Sequence, residues 1–293
     1  MSKKKILCYV LLTAILVNMF AAGEVSVAAE QQQPAYSNLV DAKSRKEVRS
    51  ALLSAGISAK TADVWLKDVV SYNKTIKNTS LVKKGFKKMG KKPPVYNENR
   101  ISKLWLKKNK LFIGYNCRIT AYDLMKDYIK VGNTGKANPS QLFMDQDALK
   151  NAPTKKFSGK QRKAFESVFS TVQTQYTKNV ATHAAIWAKD WKNKKISVSG
   201  KTKATLISVV LHSSFSKTEN ELFVGHTGVL VPTKNHKYLF IEKLSFQLPY
   251  QVTRFESKEQ QKKAVCHYRL GGCYGGGVCG SIRSRERFTQ KCR

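Results

Sequence analysis

The strand-rich half of the chain is centred on residues 222–231, which read LFVGHTGVLV. Two further runs rich in β-branched or aromatic residues, 206–211 and 238–246, flank this stretch and predict antiparallel strands. Upstream, apolar residues recur at steps of three and four in 60–76 and in 157–191, which predicts amphipathic helices. Helices that precede a block of strands are typical of an α+β fold.

A histidine, His226, interrupts the central apolar stretch between Gly225 and Gly228. An imidazole has little structural reason to lie in an apolar strand, and the flanking glycines leave room for another group to approach. Two interpretations follow: a catalytic base, or a core histidine whose ring is satisfied by hydrogen bonds.

The strand that follows offers this histidine a partner. A turn centred near Lys234 pairs residues whose numbers sum to about 468, which places Glu242 directly opposite His226. Direct cross-strand neighbours have Cβ atoms roughly 5 Å apart, so the carboxylate can orient the imidazole. The alternative for Glu242 is an ordinary surface ion pair.

Cys117 is the one cysteine between residues 30 and 265, and it lies in the sequence GYNCRIT at 114–120. Gly114 marks a bend, and the apolar residues after the cysteine have helical spacing, which places Cys117 in the first turn of a helix. The free N–H groups and the dipole at a helix start lower a thiol pKa and can stabilise an oxyanion. A thiol nucleophile and an inert packed cysteine are both open interpretations.

The chain order of Cys117 at a helix start, His226 on a strand and Glu242 on the next strand resembles the papain clan. Three stretches resemble the NlpC-type cell-wall endopeptidases of that clan: YNCR at 115–118, GHTGVL at 225–230 and LFIEK at 239–243. The clan usually has Ser and Gly after the nucleophile, where this chain has Arg118 and Ile119.

A closer resemblance is to an exported bacterial family that carries only the label domain of unknown function 4300. It covers about residues 51–255 and includes FQLPYQ at 246–251. The resemblance implies a papain-like core in which Cys117 is the nucleophile, His226 the base and Glu242 the residue that orients the base. It also implies three candidates for oxyanion or substrate contacts: Tyr115, Asn116 and Gln247.

The charge of the chain predicts a polyanionic partner. Its 293 residues carry 53 Lys and Arg against 19 Asp and Glu, which gives a formal net charge of +34. A hydrophobic content of 42% is enough to bury a core, which excludes a wholly disordered chain. We expect the partner to be anionic cell-wall polymer or peptidoglycan, because the sequence contains no recognisable module for specific nucleic-acid binding.

The first 29 residues have the composition of a signal peptide. Residues 3–5 are lysines, 6–22 are almost entirely apolar, and the small residues VAA follow at 27–29. An uncleaved membrane anchor is the alternative, since the apolar run approaches the length that spans a bilayer. We expect cleavage, and a mature protein without a transmembrane segment that is secreted or held at the cell envelope.

The rest of the chain divides by composition into a linker at 30–45, a helical N-terminal part at 46–112, a papain-like core at 113–256 and an atypical tail at 257–293. Five of the eleven arginines lie after Lys263, a switch from lysine that tracks codon usage better than structure. One hypothesis is therefore that the tail is translated from a shifted reading frame. The spacing of its cysteines does not fit a zinc site, and a disulfide clasp stays open: Cys266, Cys273, Cys279 and Cys292.

These observations predict an exported thiol hydrolase, an amidase or endopeptidase, that cleaves an amide bond in cell-wall peptides by a Cys-His-Glu mechanism. The residue pattern implies no metal and no organic cofactor. The alternative is a non-catalytic cationic protein on the same fold that binds the cell wall or another surface. Reaction of Cys117 with an alkylating reagent near pH 6, blocked by His226→Ala, distinguishes the two hypotheses.

Overall fold

A computed structural model of the protein describes residues 33–90, 92–258 and 260 and, for the backbone, the segment 278–282. The predicted signal peptide and most of the predicted tail lie outside these ranges, so the reading-frame and disulfide hypotheses stay predictions. Within the same ranges, no helix combines the length and the apolar composition that crossing a bilayer requires.

Seven helices have both ends in the described ranges: α1 (Ala42–Ser54), α2 (Ala59–Thr75), α3 (Glu98–Asn109), α4 (Cys117–Met125), α5 (Phe143–Asn151), α6 (Gly159–Phe169) and α7 (Val180–Asn193). Six of them begin after an Asp, Ser or Asn whose side chain accepts a backbone N–H of the first turn. The exception is α5, which continues from a 3₁₀ turn at Ser140–Leu142.

The described residues form ten strands: β1 (Ala35–Ser37), β2 (Lys87–Lys88), β3 (Ile129–Val131), β4 (Val172–Gln173), β5 (Ile196–Val198), β6 (Thr205–Ser214), β7 (Asn220–Pro232), β8 (Tyr238–Lys243), β9 (Tyr250–Phe255) and β10 (Val278–Ile282). Eight form one antiparallel sheet in the order β10-β6-β7-β8-β9-β1-β2, with β4 paired to the start of β7. β3 and β5 form a separate pair. The predicted α+β class is confirmed, and the three predicted strands correspond to β6, β7 and β8, except that β8 ends at Lys243 rather than at residue 246.

The main core lies between the helices and one face of the large sheet. Leu239 and Ile241 of β8 belong to this core, whereas Phe240 between them packs into a smaller cluster with Ile207 and Leu230. This alternation is the period of two that a strand imposes on its side chains. Helix α4 packs against β7 and β8, which brings its first turn to the sheet.

The expected linker at 30–45 is corrected by the structure over the residues described. β1 pairs with β9 on one side and β2 on the other, and α1 begins at Ala42. Asn38 is buried, donates to the Tyr250 carbonyl at 2.9 Å and accepts from the Val82 N–H at 3.0 Å. These partners are far away in sequence, so the short polar segment shows no local pattern that announces a strand.

The predicted helical stretch at 157–191 is two helices rather than one. α6 ends at Phe169, β4 follows on the edge of β7, and α7 begins after the N-cap Asn179. Thr171 and Val172 are β-branched and favour extended backbone, which accounts for the interruption.

Candidate active site

Cys117 is the first residue of α4, as its sequence predicts, and it is buried with 6% of its surface exposed. The side chain of Asn116 caps the helix by accepting from the Ile119 N–H at 3.0 Å. The chain enters through Gly114, whose φ is +101° and where a Cβ atom would meet the Phe246 carbonyl oxygen at 2.6 Å. Only glycine fits this bend without displacing the backbone of Phe246.

His226 lies beside a β-bulge in β7. It pairs with Val209 of β6, but the next pair is Val210 with Val224, so Gly225 is an extra residue in the ladder. A Cβ atom at Gly225 would lie 2.4 Å from a methyl carbon of Leu211, so the bulge is packed closely. Bulges of this kind redirect side chains and are frequent beside functional sites.

The His226 ring nitrogen Nε2 lies 2.7 Å from Glu242 Oε2, and both side chains are buried. The expected direct opposition of the two residues is wrong by two positions, because β7 and β8 pair Val229 with Ile241 and Leu230 with Phe240. Continued one step, this register sets Gly228, which has no side chain, against Glu242. The two residues are therefore diagonal neighbours on one face.

The turn geometry explains the shift of register. The Thr233 N–H donates to the Lys237 carbonyl at 2.8 Å, and His236 takes a left-handed conformation with φ of 58°. The hairpin is therefore centred on Asn235 rather than near Lys234. A shift by two residues preserves the face of every side chain, so the predicted contact forms despite the wrong register.

The bond to Glu242 uses Nε2 of His226 and leaves Nδ1 for the Cys117 thiol, to which the ring is hydrogen-bonded. Burial acts to lower the His226 pKa, but the charge and hydrogen bond of Cys117, followed by those of Glu242, outweigh it and raise the pKa to about 9. The imidazole is therefore held in its protonated form around neutral pH.

The Cys117 pKa is shifted in the complementary direction. Burial acts to raise it, but the charge and hydrogen bond of His226, the charge of Arg118 and the Thr227 backbone N–H together lower it. The two shifts describe one coupled thiolate–imidazolium ion pair rather than two independent groups. A thiol in such a pair is more reactive than a free thiol, because the thiolate is the reactive form.

Asn116 is a structural residue in this arrangement rather than a free oxyanion donor. Its side-chain oxygen Oδ1 caps α4, and its side-chain nitrogen Nδ2 donates to Asp145 Oδ1 at 2.8 Å. The side chain of Tyr115 is likewise occupied by contacts within the protein. Burial raises its pKa to about 12, its hydroxyl is hydrogen-bonded to Thr154, and its ring packs edge-on against Phe112. For these two candidates the structure points away from substrate contact.

Gln247 keeps its candidate role. It lies half-buried in the loop 244–249 between β8 and β9, and its side chain makes no hydrogen bond with the described residues. The Tyr72 hydroxyl donates to its backbone carbonyl. Because Phe246 contacts Gly114, this loop lies against the segment that leads into Cys117.

Next to Cys117, Arg118 and Asp145 form a buried ion pair that the sequence did not indicate. Arg118 donates to both carboxylate oxygens, at 3.0 and 2.5 Å, and also to the Val224 carbonyl at 2.9 Å. Arg118, in the first turn of α4, thereby ties this helix both to Asp145 of α5 and to β7. Arg118 stood out in the sequence as a departure from the usual Ser, but nothing local identified Asp145 as its partner.

A second group that the sequence missed supports the carboxylate of Glu242. The Gln251 amide donates to Glu242 Oε1 at 3.4 Å, and the Tyr96 hydroxyl donates to Gln251 Oε1 at 2.8 Å. Gln251 is the last residue of the FQLPYQ stretch, and the family resemblance of that stretch was the one feature of the sequence that could have indicated its role. In the described ranges, no three His, Cys, Asp or Glu side chains come together as metal ligands.

Comparison with known proteins adds a family but no assigned activity. No curated protein and no solved structure matches the chain. Residues 35–268 match the family described as Domain of unknown function (DUF4300). This range covers most of the chain and contains Cys117, His226 and Glu242, so the protein belongs to the DUF4300 domain family.

Proposed function

We propose that this protein is a thiol hydrolase, an amidase or endopeptidase, in which Cys117 is the nucleophile, His226 the acid and base, and Glu242 the group that orients His226. The observation that carries the proposal is the buried Cys117–His226–Glu242 chain, with the thiol at a helix start and a 2.7 Å bond between ring and carboxylate. The opposite pKa shifts of Cys117 and His226 support it, since a structural cysteine has no need of an ion pair.

The chemistry follows the order that such a site favours. The Cys117 thiolate attacks the amide carbonyl carbon, and the C–N bond then breaks as His226 gives its Nδ1 proton to the leaving amine. The product is a thioester on Cys117. Neutral His226 next takes a proton from water, the resulting hydroxide attacks the thioester, and the acid is released with Cys117 returned as thiolate and His226 as imidazolium.

Backbone amides at the start of α4 supply the oxyanion site of this mechanism. Asn116 caps the Ile119 N–H, and the Thr120 N–H bonds to the Asn116 carbonyl, whereas the Cys117 and Arg118 N–H groups are not used by the cap. These two donors and the positive end of the helix dipole stabilise negative charge on the carbonyl oxygen beside Cys117.

A papain-like core is part of the proposal. A nucleophile at a helix start that packs on an antiparallel sheet, with base and orienting residue on neighbouring strands, supports the resemblance to NlpC-type endopeptidases. Export to the cell envelope rests on the signal-like first 29 residues. Together with the net charge of +34, these features favour peptide bonds of the anionic cell wall as the substrate class.

The deciding experiment incubates the protein with a panel of peptidoglycan fragments and reads the products by mass spectrometry. We expect cleavage of one amide bond type, a mass gain of one water shared between the products, and loss of all cleavage in Cys117→Ala. Cleavage that survives in both Cys117→Ala and His226→Ala contradicts the proposal.

A second candidate function, binding of an anionic polymer without turnover, is favoured by two adjoining basic cavities. One has a volume of about 620 Å³ and is lined by cationic side chains that include Lys43, Lys83 and Lys84. The other, of about 500 Å³, shares Glu47 and Arg254 with the first and adds basic residues of the β7–β8 turn. Retention on isolated cell walls by Cys117→Ala, lost when Lys83 and Lys84 become alanine and lost in high salt, supports this candidate.

A further inference from the structure

Lys243 is a buried lysine next to the candidate active site. It follows Glu242 at the end of β8 and is 1% exposed. Its ammonium lies over the rings of Tyr72 and Tyr250, 4.2 and 5.2 Å from their centroids. Its Nζ donates to three backbone carbonyls of the loop 244–249: Ser245 at 2.8 Å, Phe246 at 3.1 Å and Leu248.

The partners of Lys243 differ from those of the other buried lysines. Lys156 and Lys194 are each paired with aspartate. In the described residues, no carboxylate forms an ion pair with Lys243. A buried charge without a counter-ion is costly, so its retention here points to a task other than ordinary ion pairing.

The geometry around Lys243 fits a protonated amine. Three carbonyl acceptors require three N–H donors, which the ammonium form has and the neutral amine lacks. The faces of Tyr72 and Tyr250 favour a cation further. Burial acts against this and lowers the Lys243 pKa well below its ordinary value, while the negative charge of the Cys117 thiolate acts in the opposite direction. The three carbonyl acceptors and the two ring faces are the contacts that favour the charged form in spite of burial.

The loop that Lys243 holds is in contact with the nucleophile's segment. Its Phe246 carbonyl lies against Gly114, three residues before Cys117, and the Tyr72 hydroxyl fixes the carbonyl of Gln247. Within the loop, the Leu244 N–H donates to the Pro249 carbonyl at 3.1 Å. The lysine therefore organises the loop as a bound metal cation would, with carbonyl oxygens directed at one charge.

We propose that Lys243 is a positioning residue that acts as a tethered cation: it folds the loop 244–249 against the Cys117 segment and presents Gln247 beside the site. The inference rests on the proposed function in taking Cys117 as the reacting group. By reciprocity, a thiolate that favours protonated Lys243 is itself favoured by it, so removal of the lysine charge raises the Cys117 pKa.

The test compares Lys243→Met with Lys194→Met, which removes an equally buried lysine whose partners are Asp190 and Ser170. Two quantities are measured: the rate of Cys117 alkylation across pH, and hydrogen exchange of the loop amides. We expect Lys243→Met to slow alkylation at pH 6 about 10-fold and to shift its midpoint to higher pH. We expect loop amides to exchange at least about 10-fold faster, with Lys194→Met unchanged in both readouts.

An unchanged alkylation midpoint together with unchanged loop exchange in folded Lys243→Met overturns the inference. A lower melting temperature without either change also overturns it, since it shows a packing role alone. If Lys243→Met does not fold, Lys243→Gln, which keeps two donors but no charge, takes its place and must shift the alkylation midpoint. Gly114→Ala, which pushes on Phe246 with Lys243 intact, must slow alkylation as well.

Failure of the proposed function gives a different result. If no amide substrate is cleaved, or if His226→Ala leaves alkylation unchanged, the hydrolase mechanism is wrong, but loop exchange in Lys243→Met still reports on the tethered cation. If the hydrolase is active and Lys243→Met matches the wild type in kcat, KM and loop exchange, the function stands and the inference fails.

Discussion

His226 and Glu242 are joined by a 2.7 Å hydrogen bond between β7 and β8, two residues out of direct register and on the same face of the sheet. Glu242 is 1% exposed, so the alternative of a surface ion pair does not describe it. A buried carboxylate on a histidine fixes the ring and stabilises its charged form. The first prediction tests this bond.

Glu242→Gln should weaken the chemical step while substrate affinity changes little. The amide keeps the shape of the carboxylate but removes the charge and hydrogen bond that raise the His226 pKa, so less thiolate is present. We expect kcat to fall about 10- to 10³-fold with KM nearly constant. In a Cys117→Ala background the same change should cost nothing further.

Glu47→Gln is the matched control for this prediction. Glu47 pairs with Arg254 at the surface, and its side chain is 44% exposed. Removal of one exposed partner costs about 0–1 kcal/mol of stability and should leave the rate unchanged. Equal rates for Glu242→Gln and Glu47→Gln would reduce the site to a Cys117–His226 dyad.

The ion pair of Cys117 and His226 should exist in a definite pH window. The Cys117 pKa is below its ordinary value of 9.0, so the thiolate is present above that lowered pKa and is lost as the pH falls through it. The His226 pKa is raised from 6.5 to about 9, so its contribution to stability is full below 6.5 and is lost as the pH rises through about 9.

Two measurements check this window. Alkylation of Cys117 should remain fast at pH 7, and in His226→Ala its midpoint should move to higher pH. In Cys117→Ala, the NMR titration of His226 should show a pKa well below that in the wild type, because the thiolate makes the largest favourable contribution. A His226 pKa that is the same with and without the thiol is incompatible with the coupled pair.

Local sequence pattern was sufficient to predict Cys117 at a helix start and His226 and Glu242 on neighbouring strands. The spacing of apolar residues indicates helices and strands, and turn residues indicate where one strand ends and the next begins. The register was wrong because it depends on the conformation of the Thr233–Lys237 turn, and a left-handed histidine there leaves no sequence signature. Strand β1 depends on partners more than two hundred residues away. Long-range contacts of this kind have no local pattern.

The contacts that hold the candidate site in place could not be predicted from the sequence for the same reason. The pairing of Arg118 with Asp145 and the three carbonyls around Lys243 are made by tertiary packing. From sequence, a lysine beside a strand end is indistinguishable from the many solvated lysines of this basic chain. Its burial is visible only once the loop 244–249 is placed.

Asp145→Asn should destabilise the protein strongly. It leaves the Arg118 guanidinium, whose side chain is 15% exposed, without its counter-ion, and the side chain that is changed is fully buried. Removal of one partner of such a pair costs about 3–5 kcal/mol, which urea denaturation can measure. Asp63→Asn, which breaks the half-exposed pair with Arg49, should lower the stability far less, because solvent screens that pair. Similar losses for the two variants would contradict a structural role for the Arg118 pair.

The last prediction concerns the bulge that places His226. In Gly225→Ala, the new methyl group must occupy a position 2.4 Å from Leu211 Cδ1, so either the leucine moves or the bulge flattens. We expect a loss of about 1–3 kcal/mol from overpacking, and slower Cys117 alkylation because His226 turns away. Leu211→Ala should relieve the clash, so the double variant should regain alkylation and show a favourable coupling of about 1 kcal/mol. Gly159→Ala, where nothing lies within 4 Å of the new atom, should leave alkylation unchanged. If Gly225→Ala alkylates like the wild type, the bulge does not position His226.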